Sequence, residues 1–419
     1  TEIYTLSLHD ALPISLAGCV IGSSVAGAIS DRFGRRTMLL AAAFLFLISA
    51  VGTAVPQTFC AFVIYRALGG IGVGAAAMTG PMYIAEVAPA RLRGTLVSWN
   101  QFAIVLGMLA VYFVNYFIAG RGDEAWNAAA GWRWMFGSEA LPALAFLALL
   151  AFVPESPRWL AKRGRRDAAR LVLERVGGPA HADAELAEIE GALGLEGDSF
   201  AELLQSRWRP ALGVGVILAV LQQVTGINVF LYFAPEILKT VAGSAMDVAL
   251  LQTVLVGAVN MAFTVIAIRK VDTWGRRPLM LAGYGGMAAA LFALGGAALL
   301  GQVKAWALAA ILGYIAAFAL SVGPVTWVLL AEIYPTRHRG RAMAVATFCL
   351  WTANYVVSQT FPMMDKSAAL ISAFNHGFPF LVYGAFSVLA FCFVWRFVPE
   401  TKGKSLEEIE KGWLGEHAA

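Results

Sequence analysis

Eleven apolar stretches dominate this sequence, at about 12–30, 37–54, 59–84, 94–119, 132–153, 211–239, 247–270, 278–300, 304–331, 340–363 and 374–397. A helix needs roughly 20 such residues to cross the hydrocarbon of a bilayer, where no water satisfies the backbone. That many cannot be buried in one aqueous core, so lipid must cover much of the surface. Only 14% of the residues are charged, against about 25% in an ordinary soluble domain. The expected class is an all-α membrane protein.

The connections between the stretches differ in charge. One set carries Arg32, Arg35 and Arg36; Arg91 and Arg93; Arg158, Lys162, Arg163, Arg165 and Arg166; Arg276 and Arg277; and Arg337, Arg339 and Arg341. The alternate set holds few cations: Arg121, Lys239, Lys304 and Lys366. Cytoplasmic loops are the ones enriched in lysine and arginine. That rule assigns the first set and the tail, 398–419, to the cytoplasm of a multi-pass protein in a cytoplasmic membrane. Basic residues confined in this way serve topology, and nucleic acid is not an expected partner. Cys19, Cys60, Cys349 and Cys392 lie in apolar stretches without ligand spacing, so neither metal nor cofactor is expected.

The chain also repeats itself. Asp31-Arg-Phe-Gly-Arg-Arg36 recurs as Asp272-Thr-Trp-Gly-Arg-Arg277, and Ala85-Glu-Val-Ala-Pro-Ala-Arg-Leu-Arg-Gly94 as Ala331-Glu-Ile-Tyr-Pro-Thr-Arg-His-Arg-Gly340. Pro154-Glu-Ser recurs as Pro399-Glu-Thr, so three motifs return at nearly one offset. Two homologous bundles follow, at 16–153 and 211–397, joined by a polar insert at 154–210. Within the insert, Ala168–Val176 and Ala182–Leu193 have amphipathic helical spacing and are separated by Gly177-Gly178-Pro179, which predicts two or three short helices. Ser405 and Glu408 have capping-box spacing for another, over Ser405–Trp413. The second half counts six stretches and the first five. Residues 1–15 are too polar for the missing helix and lack the basic start of a signal peptide; they read as a leader foreign to the rest.

These motifs, with Arg66-Ala-Leu-Gly-Gly-Ile-Gly-Val-Gly74, Pro154-Glu-Ser-Pro-Arg-Trp-Leu160, Gln222-Gln-Val-Thr-Gly-Ile-Asn228 and Pro399-Glu-Thr-Lys-Gly403, resemble the sugar-porter branch of the major facilitator superfamily. The likeness covers about 16–411. It implies the major facilitator fold: two pseudo-symmetric helix bundles with eleven recognisable transmembrane helices, the first of the usual twelve missing. It further implies a monomer in the lipid bilayer of a bacterial cytoplasmic membrane. The implied activity is alternating-access transport of a monosaccharide, coupled to a proton.

Sugar hydroxyls both donate and accept, and side-chain amides answer them without net charge; aromatic rings suit the C–H faces. Amides inside a span are costly unless they are paired or line a wet cavity. The adjacent Gln222 and Gln223 are the sharpest such feature. Asn228 lies six residues from Gln222, off its helical face, unless Gly226 unwinds the backbone. The resemblance assigns all three to the sugar and adds Gln101, Asn260, Trp327 and Trp351. Amides that merely bridge helices are the alternative for each, and for Asn354. Leu350 and Met108 stand where the family pattern has amides, so the sugar need not be xylose.

Arg66 and Glu139 are ionisable residues within spans and call for a function. By resemblance, Arg66 pairs with a proton-binding aspartate of the missing first helix, and Glu139 assists; Asp10 is the only candidate for that aspartate in the leader. Arg35, Arg36, Arg276 and Arg277 are expected to face Glu86, Glu155, Glu332 and Glu400 as gating salt bridges. A uniporter is the alternative function, and a non-transporting sensor a more distant one. No nucleophile–base pair, metal cluster or phosphate loop points to an enzyme.

Overall fold

The computed structural model of the chain describes residues 2–56, 58–195, 208–233, 246–301, 306–334 and 339–403, with Pro235, Ile237 and Ile409. Among the described residues all regular structure is helical. In chain order the long helices begin with α1 (Glu2–Phe33), α2 (Arg35–Ala54), α3 (Phe59–Val87), α4 (Ala90–Ala119) and α5 (Glu124–Phe152). The insert supplies α6 (Pro157–Lys162), α7 (Arg166–Gly177) and α8 (Pro179–Leu195). Then follow α9 (Arg209–Val224), α10 (Ile227–Tyr232), α11 (Met246–Trp274), α12 (Arg276–Leu299) and α13 (Ala307–Ile333). The last are α14 (Arg339–Asp365), α15 (Ala368–Phe374) and α16 (Phe378–Phe397).

Ten membrane-crossing candidates satisfy both length and apolarity among the described residues, α9 and α10 forming one of them. The eleventh expected stretch, 340–363, is helical throughout as α14 but fails on apolarity. It carries Thr347, Asn354 and Ser358, all buried, so these polar groups face protein. The first helix starts at Glu2, earlier than the apolar run, which begins at Leu12. The residues read as a leader therefore continue the helical backbone. Large apolar side chains stand outward, Phe152 at 87% exposure and Leu141 at 73%. Such a surface would be costly in water.

Cα packing resolves two compact units. One comprises Thr1–Asn100, Trp132–Arg209 and Pro335–Trp351; the other comprises Gln101–Gly131, Pro210–Tyr334 and Thr352–Ala419. Each takes most of one sequence half and a segment of the other.

In the first unit glycine sets the helix spacing. A Cβ on Gly70 would overlap the Ser15 carbonyl, one on Gly74 the Cys19 carbonyl, and one on Gly22 the Ile71 carbonyl. The backbones of α1 and α3 thus touch directly, the close approach that small residues permit in membranes. The other side of α3 presents Gly69 to Ser49, and Gly72 to Ala42 and Phe46 of α2. The insert has a core of its own: Leu160, Ala169, Val172, Leu173, Ala182 and Leu186. Gly178, at φ 85°, ends α7, and Pro179 opens α8, the usual division of labour between these residues. Arg170 pairs with Asp183 at 2.7 Å and Arg166 with Glu190 at 2.8 Å across the insert. The indole of Trp159 donates to the Asp31 carbonyl at 3.0 Å, tying the insert to the end of α1. The expected tail helix, Ser405–Trp413, lies outside the described residues except for Ile409, as do Lys239, Lys304 and Arg337.

Candidate functional site

The two glutamines interrupt an otherwise apolar run near the end of α9 and are almost completely buried, Gln222 at 3% exposure and Gln223 at 5%. The helix breaks just beyond them. Gly226 takes φ 86° and ψ 13°, a left-handed conformation that costs a side-chain-bearing residue steric strain. A Cβ there would also sit 2.6 Å from the Tyr383 ring. The break lets the Asn228 Nδ2 donate to the Gln223 Oε1 at 2.6 Å. Residues five apart in an unbroken α-helix point about 140° away from each other, so this bond depends on Gly226.

The bonding continues inward. Gln223 Nε2 donates to Gln222 Oε1 at 3.4 Å, and Gln222 Nε2 to the carbonyls of Val322 (3.2 Å) and Gly323 (3.3 Å). Those carbonyls close a π-helical turn, Phe318–Val322, in α13, directly before Pro324; such turns recur at functional sites. A primary amide has two N–H donors and two acceptor lone pairs, so the chain of amides retains capacity for a ligand hydroxyl. The carbonyls of α13 were not foreseen from sequence. Gly323-Pro324 was a visible signal of irregular backbone, but the π turn was not.

Asn260, 3% exposed, lies in α11, and Gln101 and Trp327 are half-buried in α4 and α13. All three share the compact unit of the glutamines, whereas Trp351 ends a segment of the other unit. Direct hydrogen bonds gather Gln222, Gln223 and Asn228; among the described residues none joins Gln101, Asn260, Trp327 or Trp351 to them. Asn354 accepts from the Ser358 hydroxyl at 3.3 Å, while its buried Nδ2 has no partner among the described residues. Leu350 is buried at 5% exposure and Met108 is half-buried.

In the first unit the Arg66 guanidinium lies over the Phe136 ring, 5.1 Å from its centroid, and its buried Nε has no hydrogen-bond partner among the described residues. Glu139 marks the junction between the α5 segments Trp132–Ser138 and Ala140–Phe152. The Arg66 charge acts on Glu139 and on Cys19 of α1, although no ion pair within 4 Å joins Arg66 to Glu139 among the described residues. The Asp10 side chain lies outside the described residues.

The repeated motifs build the same device twice. Arg35 holds Glu86 through Nε at 3.0 Å, and Arg276 holds Glu332 through Nη2 at 2.9 Å. Arg35 also bonds Asp31 at 2.7 Å. Glu155 accepts the backbone N–H groups of Arg35 (2.8 Å) and Arg36 (3.0 Å), as Glu400 does those of Arg276 and Arg277 (both 3.0 Å). Helix N-termini favour such anions, because their first N–H groups lack intrahelical partners. Gly34 and Gly275, at φ 102° and 90°, precede these termini.

Arg36 and Arg277 meet their carboxylates through backbone N–H groups, and among the described residues their side chains form no salt bridge with them. The Arg36 Nε and Nη2 bond the Leu150 and Ala151 carbonyls at 3.1 and 2.8 Å. Arg277 likewise bonds the Trp395 carbonyl through Nη2. Carbonyls at a helix end are left without partners, and α5 and α16 both end beside these arginines. The hydroxyls of Ser156 and Thr401 complete the design, donating to Glu86 at 2.5 Å and Glu332 at 2.6 Å. Their place in the recurring Pro-Glu-Ser and Pro-Glu-Thr was the signal that sequence reading passed over.

The family model described as "Sugar (and other) transporter" matches residues 11–413. The D-xylose-proton symporter of Escherichia coli is 50% identical over 417 residues, covering 95% of this chain and 84% of the relative. The glucose facilitated diffusion protein of Zymomonas mobilis is 41% identical over 409 residues, covering 95% and 86%. Among solved structures, a proton:xylose symporter of the major facilitator superfamily bound to 6-bromo-6-deoxy-D-glucose matches with a TM-score of 0.84 at 48% identity, covering 99% of this chain and 90% of that one.

Proposed function

The chain belongs to the sugar transporter family, and from that premise we propose that it carries a pentose or hexose together with a proton across a cytoplasmic membrane by alternating access. The observation that carries the sugar reading is the buried amide chain Asn228–Gln223–Gln222, running into the Val322 and Gly323 carbonyls of α13. Uncharged groups that both donate and accept suit a ring of hydroxyls and discriminate weakly by charge. Gln101, Asn260 and Trp327, of the same unit, are assigned to the remaining hydroxyls and to the C–H faces of the sugar.

Arg66 and Glu139 support the proton reading. A carboxyl inside a span changes its net charge when it binds a proton, and a ligand shifts a conformational equilibrium by its differential affinity for the two states. The likeness to a facilitated diffusion protein favours a second reading, uniport, which a pH gradient leaves unaffected. We place the loops bearing the basic motifs, and the C-terminus, in the cytoplasm by their positive charge. The two carboxylate–arginine networks each close within one unit, which supports a role in keeping that unit rigid as the transporter changes state.

Calorimetric titration of the purified protein with D-xylose, D-glucose and L-arabinose tests the site. Saturable binding of at least one sugar, lowered tenfold or more by Gln222→Ala, is the expected result. Wild-type affinity in Gln222→Ala removes the site assignment.

A further inference from the structure

The break between α9 and α10 is held by groups that belong to neither helix. The hydroxyl of Tyr314, in α13 and fully buried, donates to the Thr225 carbonyl at 2.9 Å. The Thr225 hydroxyl donates to the Gln222 carbonyl at 3.0 Å, and the Gly226 N–H to the Gln223 carbonyl at 2.9 Å. Tyr383 of α16, 2% exposed, lays its ring where a Gly226 Cβ would be. The Tyr314 ring packs on Phe230 of α10, with centroids 4.6 Å apart. In a continuous helix the Thr225 carbonyl would accept the Val229 N–H, which here goes to the Gly226 carbonyl at 3.0 Å. Buried carbonyls need a donor, so Tyr314 supplies the bond that a rewound helix would otherwise supply.

We infer that Tyr314 and Tyr383 are positioning residues for sugar recognition: they hold the left-handed break at Gly226, and through it the alignment of Asn228 with Gln223. The inference rests on the proposed sugar site. Neither tyrosine touches the sugar in this account. Loss of the Tyr314 hydroxyl leaves rewinding as the route to satisfy the Thr225 carbonyl, and rewinding turns Asn228 away from Gln223.

The test is the Kd for D-xylose and for D-glucose in Tyr314→Phe, Asn228→Ala and the double variant, with thermal unfolding of each. Tyr314→Phe is expected to raise the Kd about tenfold, and to add nothing once Asn228 is alanine, because residues acting through one another are not additive. Should Tyr314→Phe fail to purify, Thr225→Val removes a second bond at the same break and is read in the same way. A lowered unfolding temperature with unchanged Kd, or a full effect persisting in the Asn228→Ala background, overturns the inference. Unchanged Kd in both Asn228→Ala and Gln222→Ala instead removes the site on which it rests.

Discussion

Arg35 and Glu86 form a two-pronged ion pair, Nε to Oε2 at 3.0 Å and Nη2 to Oε1 at 3.1 Å, with 9% of each side chain exposed. The repeated pair, Arg276 and Glu332, is more open, at 12% and 21%. Removing one partner of a buried pair leaves an uncompensated charge and costs about 3–5 kcal/mol. Glu86→Ala is therefore expected to lower the unfolding temperature in detergent more than Glu332→Ala does. Arg35→Lys should recover only part of the loss, since a point charge cannot reproduce the fork. Equal shifts for the two glutamates would contradict the burial argument.

The glycines of α3 predict a second contrast. Gly70→Ala places a methyl against the Ser15 carbonyl, and overpacking of this kind costs about 1–3 kcal/mol. Gly107→Ala meets no atom within 4 Å and should be neutral or stabilising by up to about 1 kcal/mol through helix propensity. Thermal unfolding of the two variants side by side decides it.

In the insert, the Arg170 hydrogen bond holds the Asp183 carboxyl below its ordinary range. A depressed acid stabilises the fold above its unfolded pKa, and that contribution disappears as pH falls through the folded value. Asp183→Asn should accordingly speed amide hydrogen exchange in α8 at neutral pH and change it little in strong acid, where the wild-type carboxyl is protonated too. An effect of the same size at both pH values would assign the change to packing.

Much of this architecture was legible in the residues, for identifiable reasons. Apolar runs of membrane length mark helices because lipid leaves the backbone no other partner, and the recurrence of Asp31–Arg36 at Asp272–Arg277 exposed the duplication. The adjacent glutamines stood out because amides are rare in such runs. What sequence could not supply was direction. Arg36 and Arg277 carry the same charge as their neighbours, yet they serve helix-end carbonyls, and only the course of α5 and α16 decides that. Tyr314 and Tyr383 read as ordinary aromatic residues of apolar helices. Their importance comes from meeting one carbonyl and one glycine at the break between α9 and α10. The stretch at 340–363 reads as a span despite its polar residues; α14 is helical throughout it and buries Asn354 and Ser358.

The central claim, proton-coupled monosaccharide transport, is tested most directly by uptake of radiolabelled D-xylose and D-glucose into proteoliposomes, with and without a pH gradient acid on the outside. The account predicts saturable uptake of at least one sugar, accumulation against its gradient only when the outside is acid, and loss of that accumulation in Glu139→Gln while passive equilibration persists. Saturable uptake indifferent to pH would replace symport with uniport. No saturable flux of any monosaccharide under either condition would contradict the account itself.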